Sequence, residues 1–233
     1  MKVTAIITSA GKGKRMGIAT PKHFLHLEGR PVLAYTLDAF EICPDVNQVF
    51  VVARLGEEEY CLKEIVDKYG FKKVLKVVIG GKRRQDSVFN AIKELDDDTD
   101  IVVVHDGVRP FVPPELISET VKLAMYVDGV VAALPLKDTI KEVNKDGFIK
   151  NTPDRELFWC AQTPQTFKKR VLESAFNSAY NDDFFGTDEA SFVERIGGKV
   201  KIVEGSYENI KITTKEDLLL AEFILRSRRK KGT

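Results

Sequence analysis

Three segments of this sequence hold residue types suited to handling phosphate. The first is Thr8-Ser9-Ala10-Gly11-Lys12-Gly13-Lys14-Arg15-Met16-Gly17, directly after an apolar N-terminal run. Glycines in such a loop let backbone N–H groups come close to phosphate oxygens. Gly11, Gly13 and Met16 match Gly-x-Gly-x-x-Gly only loosely, and the residue five after Gly11 is Met16, so Gly-x-x-x-x-Gly-Lys-Ser/Thr is absent. Taken alone, the loop reads either as a phosphate cradle or as a tight turn. Arg15 ends it, and Lys22 follows on a Pro21-Lys22 turn. A cation pair converging on a glycine loop suits the charge that builds up on a transferring phosphoryl group. The competing reading makes both ordinary surface cations.

The second segment, Gly80-Gly81-Lys82-Arg83-Arg84-Gln85-Asp86-Ser87-Val88, is a glycine pair feeding a helix. Ser87 and the free N–H groups of a first turn can bond a base or a ribose; the same residues also read as a plain helix start. The third is Val104-His105-Asp106-Gly107-Val108-Arg109-Pro110. It puts an aspartate at the carboxyl end of a central strand, where open α/β sheets bind ligands. One carboxylate there suffices for Mg²⁺, which takes one or two carboxylates plus substrate phosphates. His105 reads as a packed strand-end histidine, because no second His or Cys accompanies it.

The elements that must position these segments are legible as short β-branched runs alternating with helical patterns. That alternation predicts an α/β fold, a three-layer sandwich around a mostly parallel, Rossmann-like sheet. Strands are predicted at 3–8, 49–53, 74–79, 101–105 and 130–134, the interior ones nearly continuous in apolar residues, as expected when both faces of a parallel sheet are covered. Helices are predicted from Pro31 through Phe40, over 86–95 and over 114–126. Thr214, with Asp217 three residues on, reads as the capping start of a last helix. The run Arg226-Ser227-Arg228-Arg229-Lys230-Lys231 reads as a frayed tail. Residues 135–163 break the pattern. Asn144-Lys145-Asp146-Gly147 sits there between two short extended pieces, which predicts a hairpin projecting from one domain spanning 1–233 and suited to pairing with a second subunit.

Composition excludes other classes. The formal net charge is +1 over 233 residues, so nothing calls for a nucleic-acid or membrane partner, and an anion site has to come from local geometry. No apolar stretch approaches the roughly 20 residues of a membrane helix, and the first seven residues do not form a secretory signal, so the expected location is cytoplasmic. Cys43, Cys61 and Cys160 lack metal-ligand spacing, and Cys160 reads as a buried thiol.

Taken in order, these segments resemble the bacterial 2-C-methyl-D-erythritol 4-phosphate cytidylyltransferases of the non-mevalonate isoprenoid pathway. The likeness continues through Pro135-Leu136-Lys137-Asp138-Thr139-Ile140-Lys141, Asp154-Arg155-Glu156-Leu157-Phe158-Trp159, Gln162-Thr163-Pro164-Gln165, Thr187-Asp188-Glu189-Ala190-Ser191 and Asn209-Ile210-Lys211-Ile212-Thr213. The resemblance implies a nucleotide-diphospho-sugar transferase type of sheet and CMP transfer from CTP to the polyol phosphate, with Mg²⁺. By the same resemblance, Ala10, Gly11 and Gly13 would cradle the triphosphate, and Arg15 and Lys22 would stabilise the transition state. Gly81, Arg84 and Ser87 would surround the cytidine. Asp106 would hold the metal and face the acceptor, with Arg109 nearby. Thr139 and Arg155 on the arm would grip the acceptor in the other subunit's site of a homodimer, helped by Lys211. Ser9 stands where the family commonly has alanine, His23 where it has glutamine, and Gly107-Val108 where two alanines are frequent.

The nucleophile in that reaction is a phosphate oxygen, already largely dianionic at pH 7 because its second pKa is about 6. No proton has to be removed, which accounts for a motif set without a triad or an acid pair. A ribitol-5-phosphate cytidylyltransferase of cell-wall polymer synthesis resembles the chain in fold and chemistry. The blocks at 154–159 and 187–191 look more like the methylerythritol group, whereas Val108-Arg109-Pro110-Phe111 leans the other way. A nicotinamide-dependent oxidoreductase fails on glycine spacing and on Ala53-Arg54, where an acid would stand. A non-catalytic nucleotide-binding module would be expected to have lost Arg15, Lys22 or Asp106.

Overall fold

The computed structural model describes residues 1–11 and 25–231 of the chain, so Gly13, Arg15, Lys22 and His23 of the predicted loop lie outside it. Seven strands form one sheet: β1 (Lys2–Thr8), β2 (Gln48–Ala53), β3 (Val74–Ile79), β4 (Thr99–Asp106), β5 (Gly129–Pro135), β6 (Trp159–Lys168) and β7 (Val200–Glu204). Their spatial order is β7-β5-β6-β4-β1-β2-β3. All pairings are parallel except those of β6, which runs antiparallel to both β4 and β5.

Alternation along the strands sorts the core into two layers. Val3, Ala5 and Ile7 of β1 and Ile101 and Val103 of β4 face one side. There they meet Leu33, Leu37 and Phe40 of α1 (Val32–Ile42), Cys61 and Ile65 of α2 (Glu58–Tyr60, continuing as π-helical Cys61–Asp67), and Ile117 and Val121 of α4 (Pro114–Ala124). Ile6, Val102 and Val104 face the other side. They meet Val88 and Ile92 of α3 (Arg84–Lys93), Leu172 and Phe176 of α5 (Lys169–Asn181), and Phe192 of α6 (Glu189–Arg195). A third cluster joins Leu27, Val32 and Phe111 to Ala221, Ile224 and Leu225 of α7 (Lys215–Lys231).

Several expectations need correcting. Residues 159–163, read as part of the arm, begin β6, a central strand whose Gln162, Thr163, Gln165 and Thr166 are buried. The arm's hairpin itself pairs Glu142–Val143 with Ile149–Asn151 around Gly147, which takes the left-handed conformation that glycine tolerates. Cys160 is exposed, whereas Cys43 and Cys61 are buried. The basic run is the last part of α7, where Arg226 and Arg229 pair with Glu28, and Arg228 with Glu208. Three ion pairs give those turns anchors that a frayed tail lacks. Helix α3 starts at Arg84, two residues before the predicted start. Arg83 is the N-cap, and the Asp86 carboxylate accepts from the Arg83 backbone N–H at 3.0 Å.

Candidate active site

Strand β4 ends on Asp106, which is buried at the carboxyl edge of the sheet. Three cations converge on its carboxylate. Arg84 Nε donates to Oδ1 at 3.3 Å, Arg109 Nε to Oδ2 at 3.2 Å, and Lys211 Nζ to Oδ2 at 2.8 Å. Each comes from a different element. Arg84 is the first residue of α3, Arg109 lies in the loop after β4, and Lys211 lies on the segment between β7 and α7. The sequence reading had put Arg84 with the cytidine and the other two with the acceptor; the fold brings all three onto one carboxylate.

A residue outside the predicted set fixes Arg84. Glu189, fully buried at the start of α6, takes the guanidinium in a bidentate grip, accepting from Nη1 at 2.6 Å and from Nη2 at 2.9 Å. Polar groups of β6 hold α6 in place. Gln165 Nε2 donates to Asp188 Oδ2 at 2.8 Å, and Gln165 Oε1 accepts from Ala190 N at 3.1 Å. Asp188 caps the helix by accepting from Ser191 N at 3.1 Å. The only sequence signal for Glu189 was its place in the 187–191 block.

The electrostatics follow from burial and this pairing. Burial alone raises the Asp106 pKa, but Arg84, Lys211 and Arg109 together hold the carboxyl far below the usual carboxylate range. Arg84 is pushed up in spite of its burial by Glu189 and Asp106. Arg109 moves down, through burial and repulsion from Arg84. Burial pushes Glu189 up, against the pull of Arg84. Three cations against two carboxylates leave the group with a surplus of one positive charge, open to an anion. His105 is fully buried, and desolvation lowers its pKa to about 3, so it is a neutral imidazole.

The glycine segments meet beside this group. A Cβ on Gly80 would lie 2.4 Å from Ala10 Cβ, so only glycine lets the start of the first loop pack against the 80–81 turn. Gly81 N donates to Ser87 Oγ at 3.0 Å, and Ser87 Oγ donates to Arg83 O at 3.0 Å. The Ser87 hydroxyl, expected to be free for a base or ribose, is thus used in both senses to shape the turn, and its own N–H is bonded to Arg83 O. Among the described residues, no atom lies within 4 Å of a Cβ built on Gly11.

On the arm, Thr139 and Arg155 are exposed. Arg155 Nη1 donates to Lys137 O at 2.7 Å, bracing the arm's two limbs. Neither residue is joined to the Asp106 group by a hydrogen bond or ion pair among the described residues.

For a divalent cation, the donor set is a single carboxylate. Among the described residues no three His, Cys, Asp or Glu side chains gather in a metal-binding group. Such a set fits Mg²⁺ only where phosphates supply most of the ligands. Asp106 Oδ1 has the looser contacts, to Arg84 at 3.3 Å and to Thr8 Oγ1 at 3.5 Å, so it is the oxygen with room for a cation.

Two departures from the family pattern explain each other. A Cβ on Gly107 would lie 2.4 Å from Ser9 Oγ, and 3.1 Å from both Leu33 Cδ1 and Thr8 O. The serine hydroxyl therefore fills the space that a methyl at position 107 would take. Gly107→Ala is expected to destabilise the protein by about 1–3 kcal/mol through overpacking. Ser9→Ala combined with Gly107→Ala should recover part of that loss, read as a favourable coupling in a double-mutant cycle of urea unfolding. Additive effects would show that the two sites do not share this space.

A family model described as IspD, 2-C-methyl-D-erythritol 4-phosphate cytidylyltransferase, matches residues 3–227. The 2-C-methyl-D-erythritol 4-phosphate cytidylyltransferase of Geotalea uraniireducens is 48% identical over 229 residues, covering 97% of this chain and 98% of that protein. That of Alkaliphilus metalliredigens is 46% identical over 228 residues, covering 98% and 95%. Among solved structures, 4-diphosphocytidyl-2C-methyl-D-erythritol synthase from Anaerococcus prevotii matches with a TM-score of 0.86 at 34% identity, covering 97% of this chain and 96% of that one. The fold and these near full-length matches agree, and the chain belongs to the 2-C-methyl-D-erythritol 4-phosphate cytidylyltransferase family.

Proposed function

We propose that the Asp106 group is where this chain brings its two substrates together. The chain is a CTP-dependent nucleotidyltransferase: it transfers CMP from CTP to 2-C-methyl-D-erythritol 4-phosphate, giving 4-CDP-2-C-methyl-D-erythritol and pyrophosphate for isoprenoid precursor synthesis. The observation that carries the site reading is the surplus positive charge around one buried carboxylate at the carboxyl edge of the sheet.

An oxygen of the acceptor phosphate attacks the α-phosphorus of CTP, forming the new P–O bond as the bond to pyrophosphate breaks. Because the attacking oxygen is already anionic, the protein has only to position and to neutralise charge. Arg109 and Lys211 draw the acceptor in, and Asp106 accepts from its hydroxyls while holding the two cations together. Ala10, Gly11 and Gly13 present backbone N–H groups to the triphosphate, and Gly81 and Ser87 shape the nucleoside side. Arg84, locked by Glu189, stands between the nucleotide and acceptor sides. Arg15 and Lys22 meet the charge that develops as pyrophosphate departs. Asp106 would hold Mg²⁺, which when bound neutralises phosphate charge.

We also read the arm of 135–163, apart from the 159–163 stretch that belongs to β6, as serving dimerisation and substrate binding in a single-domain chain. Exposed Val143, Phe148, Ile149, Leu157, Phe158 and Trp159 support pairing with a second copy. Thr139 and Arg155 would then close the acceptor site of the partner. No helix among the described residues is long and apolar enough to cross a membrane. We place the enzyme in the cytoplasm, where its nucleotide is made.

Pyrophosphate release with CTP and Mg²⁺ is expected to be fast with 2-C-methyl-D-erythritol 4-phosphate and negligible with ribitol 5-phosphate. The reverse preference would keep the chemistry and overturn the acceptor. For the arm, Lys22→Ala and Arg155→Ala are each expected to lose most activity at low acceptor concentration. Mixed and allowed to exchange subunits, they should recover about a quarter of wild-type activity, because half of the dimers then hold one intact composite site. No recovery after demonstrated exchange would put the arm in its own subunit's site.

A further inference from the structure

Arg109 and Lys211 sit on two separate stretches, the loop after β4 and the segment before α7. The stretches touch directly, since Arg109 Nη1 donates to Asn209 O at 2.8 Å and Ile212 N donates to Val108 O at 2.9 Å. Arg228, near the end of α7, fastens them a second time. Its Nη2 donates to Phe111 O at 3.0 Å, on the loop that carries Arg109, and its Nε donates to Glu208 Oε2 at 2.8 Å, on the segment that carries Lys211. The guanidinium also lies 5.1 Å from the centroid of the buried Phe111 ring.

The helix end that offers Arg228 is itself held from another side. Arg226 and Arg229, three apart on one helix face, both pair with the Glu28 carboxylate. Glu28 and Gly29 form the turn that joins His26–Leu27 to Arg30–Pro31, with φ of +47° and +83°. Such a turn favours Asn, Asp or Gly at its first position, and a glutamate there is strained. The carboxylate accounts for the choice: it anchors the last turns of α7, which would otherwise fray.

We propose that Arg228 is a positioning residue for acceptor binding: from a helix end anchored by Glu28, it ties the loop of Arg109 to the segment of Lys211 and so fixes the spacing of the two cations. The inference rests on the acceptor-site reading given above. Only a forked guanidinium serves both partners at once; an ammonium is a single point charge.

The test is steady-state kinetics per folded molecule on Arg228→Met, Arg228→Lys and Glu28→Gly, with Tm measured alongside. Arg228→Met is expected to raise KM for the polyol phosphate by about fivefold or more while KM for CTP stays within about twofold, because a misplaced binding group costs the ligand it serves. Arg228→Lys should fall between the two. Glu28→Gly relieves the strained turn, so Tm should hold or rise while the acceptor KM still rises, which a purely structural role would not produce. If Arg228→Met does not fold, Glu28→Gly carries the test. Equal rises in both KM values, or unchanged kinetics with a lowered Tm alone, would reduce Arg228 to a packing feature. Arg109→Leu is the separate check on the site reading. If it leaves the acceptor KM unchanged, that reading fails; if it raises it and Arg228→Met does not, only the role of Arg228 fails.

Discussion

A carboxylate taken out of water is costly unless its charge is answered, and Asp106 is answered three times over. Much of the carboxyl edge is arranged around that need. Helix α3 begins where it does so that Arg84 reaches Oδ1. Helix α6 places Glu189 behind Arg84, the loop after β4 folds back so that Arg109 meets its own strand end, and the segment before α7 brings Lys211 in from the far side. Each cation would repel the others without the shared anion. The group therefore holds together four elements that are distant in sequence and keeps one positive charge for a ligand.

The reversed strand is the second constraint. An all-parallel sheet would send every strand's amino end away from the site. Because β6 runs the other way, its first half lies at the carboxyl ends of β4 and β5, and its irregular stretch delivers Gln162, Thr163 and Gln165 to the same edge. Gln162 and Thr163 bond the segment from Ser206 to Asn209, and Gln165 bonds the start of α6. One strand thus braces both sides of the site. Polar side chains are tolerated at its centre because each has a partner.

That polarity also explains what the sequence concealed. Strands β1 to β5 each carry a short, largely apolar run, so a reading for near-continuous apolar stretches finds them without help. Trp159–Lys168 contains Gln162, Thr163, Pro164, Gln165 and Thr166, which read as loop until their tertiary partners are known. Glu189 was overlooked for a similar reason: an acid in a first helical turn usually faces water and complements the helix dipole, and here it is wholly buried under an arginine. Asp106, Arg109 and Lys211 were visible as residues, but nothing in their spacing shows that they touch. The tail was misread because a run of five basic side chains looks solvated unless Glu28 and Glu208, far away in sequence, are known to face it. Ser9 and Gly107 stood out as separate oddities and become one feature only once their separation is measured.

The central claim is that Arg109 and Lys211, the two cations on Asp106 Oδ2, receive the acceptor and not the nucleotide. The most direct measurement is the pair of Michaelis constants for Lys211→Met, whose side chain keeps the packing of the lysine stem and loses only the charge. Loss of one charge-assisted bond predicts a rise of about tenfold to a hundredfold in KM for 2-C-methyl-D-erythritol 4-phosphate, with KM for CTP nearly unchanged. A rise confined to CTP, or shared equally by both substrates, would contradict the account.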